Sequence, residues 1–97
     1  MKYSFIAKLV VRPERQAEFE ALQIELKGLT LDQEPDAHVY EVLRSADDPL
    51  TYFVVASFTD EAAFKAHQDI DFHHRLVPPL LDCLAQDMEL SFYRSLG

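Results

Sequence analysis

The 97-residue chain contains no Trp, no Asn and a single Cys. A lone thiol, Cys83, excludes an internal disulfide and any zinc site built on cysteines. No apolar run approaches the ~18 residues that a membrane-spanning helix needs. The N-terminus, Met1-Lys2-Tyr3-Ser4, enters a strand pattern without an apolar leader region. Positive charge is scarce as well: nine Lys and Arg stand against seventeen Asp and Glu, leaving a net charge of −8. Such a field repels phosphate backbones and anionic lipid, and no three basic residues cluster. The expected partners therefore include neither nucleic acid nor membrane. A soluble, cytoplasmic protein is expected.

What is abundant is aromatic. Seven Phe and four Tyr in a chain that is 48% hydrophobic exceed what one small core ordinarily takes. A chain of this length forms one domain, residues 1–97, and buries roughly 60–65% of its unfolded surface. The surplus implies apolar surface beyond that core, for a partner subunit or a ligand pocket.

Along the chain, Tyr3, Phe5, Ala7, Leu9 and Val11 alternate with Ser4, Ile6, Lys8 and Val10, predicting a strand covered on both faces. Pro13 suits the first turn of a helix. Phe19, Leu22, Leu26 and Leu29 then keep helical spacing, with Gly28 as the expected stop. A second strand is predicted over 37–45, with His38, Tyr40, Val42 and Arg44 on one face. Ala46-Asp47-Asp48-Pro49 turns it into a third strand, Tyr52 to Phe58. Thr59 and Asp60 carry the side-chain oxygens that cap a helix start. Ala63, Phe64, His67 and Ile70 share one face of that helix, and a further segment opens at Asp71. Pro78-Pro79 predicts a break there, because each lacks a donor and crowds the preceding turn. Residues 86–95 close the chain as a fourth strand.

The order β-α-β-β-α-β is the ferredoxin-like α+β arrangement: four antiparallel strands carrying two helices on one face. Tyr3, Tyr40 and Tyr52 exceed what two helices bury. A second copy packing sheet to sheet is therefore expected to cover the other face.

His67 is the strongest chemical candidate, since an imidazole titrates near neutrality and accepts an O–H proton. The bland alternative is a helix histidine tied to a backbone carbonyl. His67 and His74 share a face if the helix is continuous, but a two-turn separation of about 10 Å is too far for one ion. No metal site is expected. Tyr40, Arg44 and His38 would give a phenol, a guanidinium and an imidazole to one pocket, with Phe58 and Phe72 as wall and His73 at the mouth. Against that stands a structural reading, in which these side chains pack the core or pair with surface acids.

The segments Val11-Arg12-Pro13, Glu34-Pro35, Ser45-Ala46-Asp47-Asp48-Pro49, Phe58 through His67, and Leu76 through Leu81 occur in an order and spacing that resembles the antibiotic biosynthesis monooxygenase family. The resemblance covers nearly the whole chain. It implies a dimeric α+β barrel. It also implies cofactor-independent oxygenation of a quinol or another electron-rich aromatic, with His67 as the base and no cofactor. Asp36, Ala56 and Phe58 stand where the family often has Gly, an acid and Trp. The haem-degrading branch uses an Asn, a Trp and a His, of which only His67 remains. Two alternatives stay open: an isomerase moving a proton beside a carbonyl, and a non-catalytic ligand-binding or stress-response dimer.

Overall fold

The computed structural model describes residues 1–96. The elements are β1 (Tyr3–Val10), α1 (Gln16–Gln33), β2 (Ala37–Arg44), β3 (Thr51–Phe58), α2 (Glu61–Gln68), α3 (Asp71–Asp82) and β4 (Glu89–Arg94), with a 3-10 turn over Pro13–Arg15 leading into α1. The strands form one antiparallel sheet in the order β2-β3-β1-β4. This is the ferredoxin-like α+β fold read from the sequence, with three helices where two were expected.

The helices differ from the sequence reading at Gly28 and at Pro78-Pro79, each with a local cause. Gly28 does not stop α1, which runs on to Gln33. A Cβ at Gly28 would meet nothing within 4 Å, so glycine there is exposed helix interior rather than a cap. The stop comes from Pro35, whose ring disfavours α conformation in the residue before it. Glu34 is accordingly extended, at φ −116° and ψ 93°, while its N–H still bonds the Thr30 carbonyl. Pro78 and Pro79 likewise sit inside an unbroken α3. The carbonyls they leave without helical donors belong to His74 and Arg75, both exposed residues, so solvent can serve in place of the missing donors. The interruption lies earlier, just before Asp71, where the sequence reading opened a further segment. Ile70 is extended at φ −79° and ψ 147°, which separates α2 from α3.

The core lies between the sheet and the helices. Phe5, Ala7, Leu9, Tyr52, Val54, Ala56 and Phe58 face Phe19 and Leu26 of α1, Phe64 of α2, and Phe72, Leu76 and Leu80 of α3. Asp60 caps α2 by accepting the Ala63 N–H at 2.9 Å. Of the three tyrosines expected to exceed what the helices bury, Tyr40 and Tyr52 are buried here and Tyr3 only in part. The face left open carries instead Ile6, Val39, Leu43, Phe53, Val55 and Tyr93.

Candidate active site

Where α1 ends, Pro35 turns the chain out of the helix and sets the Glu34 side chain against α2. There the Glu34 carboxylate lies 2.8 Å from His67 Nδ1. His67 is 2% exposed and the Glu34 side chain 11%. A carboxylate only accepts, so Nδ1 carries the hydrogen, and in the neutral imidazole Nε2 is the nitrogen that holds the lone pair. The rest of the imidazole is held by rings, with Phe58 at 5.1 Å between centroids and Tyr40 at 6.0 Å.

His67 lines a cavity of about 180 Å³ between sheet and helices. Its floor is Phe5, Ala7, Leu9 and Val54, and its walls include Leu26, Phe64, Val77 and Leu80. It reaches the surface beside Leu81, Met88 and Leu90, which are 36–41% exposed. An apolar cavity of ~150 Å³ takes one benzene ring, so this one admits a substituted single ring. The polar groups on its walls are few: Tyr40, His67, Gln68, His73 and Gln23. Burial, and then the nearby Glu34 charge, push the Tyr40 hydroxyl well above its ordinary pKa, so it stays a neutral phenol. A larger, open depression beside Arg12, Arg15 and Asp82 contains no histidine. Among the described residues, no group of three His, Cys, Asp or Glu side chains converges to hold a metal ion.

The predicted site residues divide sharply. His67, Tyr40 and His73 come together on the cavity wall. Phe58 touches His67 from the core side, and Phe72 is buried in the core away from the cavity lining. Arg44 pairs across from Tyr52, four residues beyond Tyr40 and roughly 13 Å along the strand. It is exposed and meets Glu20 at 3.4 Å. His38 does not share the Tyr40 face. A bulge between Ala37 and Val39 sets Ala37 and Tyr40 on the buried side and turns His38 out, where it bonds Thr59 Oγ1 at 2.8 Å. Simple alternation could not reveal that bulge. Glu34 enters the sequence reading only within the Glu34-Pro35 segment of the family resemblance, with no chemical role assigned to it.

The α2–α3 break explains His73. On a continuous helix, six residues place two side chains about 120° apart in azimuth. The break brings the His73 ring edge-on to His67, with centroids 4.8 Å apart. His74 instead points outward, 3.5 Å from Asp69. Burial, then the two neighbouring histidines, lower the His73 pKa to about 4. Below the ordinary value of 6.5 the unfolded chain binds a proton that folded His73 refuses. Stability is therefore complete above pH 6.5 and falls as the pH drops toward 4. Urea midpoints measured from pH 7 to pH 4 should show this slope. It should flatten in His73→Gln, with a contribution of about 1–2 kcal/mol after discounting for the half-exposed ring.

The family model described as antibiotic biosynthesis monooxygenase matches residues 3–78. No curated protein matches the chain. Among solved structures, a conserved protein from Methanosarcina mazei Go1 is similar, with 27% identity and a TM-score of 0.93 over 99% of this chain and 94% of that one. A protein of Caulobacter crescentus CB15 named for the same family superposes with a TM-score of 0.94 at 23% identity, covering 99% of this chain and 91% of that one. A further structure named antibiotic biosynthesis monooxygenase gives 0.89 at 24% identity, covering 98% and 99% of the two chains. Likenesses at this distance speak to the fold.

Proposed function

Because the chain belongs to the antibiotic biosynthesis monooxygenase family, we propose that it is a monooxygenase acting on a single-ring quinol or similar electron-rich phenol without a cofactor. The observation that carries this reading is the Glu34–His67 pair at the wall of an apolar cavity. Glu34 fixes Nδ1 as the protonated nitrogen and stabilises the imidazolium that forms. Nε2 takes the phenolic proton. The resulting aryloxide has carbanion character at ring carbon and reduces O₂ directly, forming a C–O bond to one oxygen. Loss of water from that peroxide leaves a ring carbonyl. A hydroquinone and O₂ thus give a hydroxyquinone and water, one oxygen atom going to each. Neutral Tyr40 is placed to donate a hydrogen bond to the aryloxide.

The open apolar sheet face supports a homodimer packed sheet to sheet. Sedimentation of a monomer at micromolar concentration would reject that part. A single buried thiol suits a reducing cytoplasm. Oxygen uptake across a series of substituted hydroquinones tests the reaction. Stoichiometric uptake with hydroxyquinone formation is expected. Solvent deuterium entering a carbonyl substrate without O₂ uptake would mean an isomerase, and neither signal would leave a binding protein.

A further inference from the structure

The stripe of α1 that faces the core is Phe19, Gln23, Leu26 and Thr30. A glutamine in such a stripe costs stability unless its amide is paired. Gln23 is 3% exposed, and its Oε1 has no hydrogen-bond partner among the described residues. The polar groups around it are already committed to one another. The Tyr52 hydroxyl donates to Glu20 and accepts from Gln16 Nε2, and Arg44 donates to Glu20. Gln23 stands between two hollows: the open depression formed by Glu20, Arg44 and Tyr52 with Phe19 and Val42, and the cavity of His67, whose wall it forms together with Leu26 and Val54.

Gln23 lies on α1 and His67 on α2, and both line this cavity above the sheet floor of Phe5, Ala7, Leu9 and Val54. The cavity is therefore a slot that carries the imidazole of His67 on one helix and an unmet acceptor at Gln23 on another.

We propose that Gln23 is the specificity-determining residue of this slot. It selects ligands that carry, beyond the phenolic ring, an arm ending in a hydrogen-bond donor such as a hydroxyl or amide N–H. The terminal torsion of a Gln side chain is broad, so a turn about χ3 brings Oε1 to the slot wall. A ligand with an apolar tail leaves the acceptor unmet, whereas one with a donor at that depth satisfies it. The inference rests on the cavity being the ligand site, as proposed above, but not on the reaction performed there.

The test compares two ligands of equal length and shape, 4-(3-hydroxypropyl)phenol and 4-butylphenol, by titration calorimetry on the intact protein. Gln23→Met keeps the length of the side chain and removes both polar atoms. Relative to Gln23→Met, the wild type is expected to shift the affinity ratio about tenfold toward the hydroxypropyl ligand. Gln23→Met should also melt higher than wild type, since it deletes an unpaired buried carbonyl, which separates loss of selectivity from loss of fold. Gln23→Leu gives the same comparison if Met packs poorly. An unchanged ratio, with both phenols still bound, overturns the inference and leaves the oxygenase reading intact. A shifted ratio without O₂ uptake supports Gln23 and sinks the oxygenase. Failure of the wild type to bind either phenol overturns both.

Discussion

Replacing His67 with alanine is expected to lower quinol-dependent O₂ uptake by about 10²–10⁴-fold, the usual share of a positioned general base. Nothing else on the cavity wall can take over. Tyr40 is a neutral phenol whose hydroxyl is held well above its ordinary pKa. His73 points its edge at His67 rather than joining a carboxylate, and its lowered pKa of about 4 makes it a weak base. Glu34 lies behind the imidazole. Glu34→Gln keeps a partner for Nδ1 but removes the charge, so its loss of rate should be smaller than that of His67→Ala. Turnover by His67→Ala at the wild-type rate would show that the base lies elsewhere.

Phe19→Ala should cost about 3–5 kcal/mol in urea unfolding, the largest effect on stability expected from a single truncation here. Phe19 is fully buried, and its ring packs 4.8 Å from that of Tyr52 at 50°. It fastens α1 to the sheet, and α1 in turn carries Gln23 and ends at Glu34. Against a typical total of ~5–15 kcal/mol, that loss removes a large share of the stability. Phe92→Ala is the natural control. Phe92 lies on the edge strand β4, is 45% exposed and touches Tyr3 and Phe64 from outside. Its truncation should cost well under half as much. Equal costs would mean that Phe19 is not where the core closes.

The strands were legible because period-two alternation survives on β1 and β3, where Phe5, Ala7 and Leu9 face Ala56, Val54 and Tyr52. The order of elements followed from that pattern and from the caps. Helix ends were harder. Gly28 and Pro78-Pro79 carry breaker chemistry, yet packing of Phe72, Leu76 and Leu80 outweighs two missing donors on an exposed face. His67 was legible as a lone imidazole on an apolar helix face. Its partner was not, because Glu34 is thirty-three residues away and no local pattern joins them. Nor could periodicity reveal the bulge that turns His38 outward; the segment opening at Asp71 was legible, but not that the turn at Ile70 folds His73 back onto His67. Gln23 was invisible for a different reason. In sequence, a polar residue on α1 reads as solvent-facing, and only its burial without a partner marks it.

The most direct measurement is the absorption spectrum of 4-nitrophenol bound to the protein, recorded at a pH where the free phenol is un-ionised. Its phenolate is yellow and its phenol is not, so the spectrum reports where the proton resides. If the Glu34–His67 pair takes the proton, wild-type protein will show the phenolate band on binding and His67→Ala will not. A colourless complex with the wild type, or an equal band with His67→Ala, would contradict proton transfer to His67.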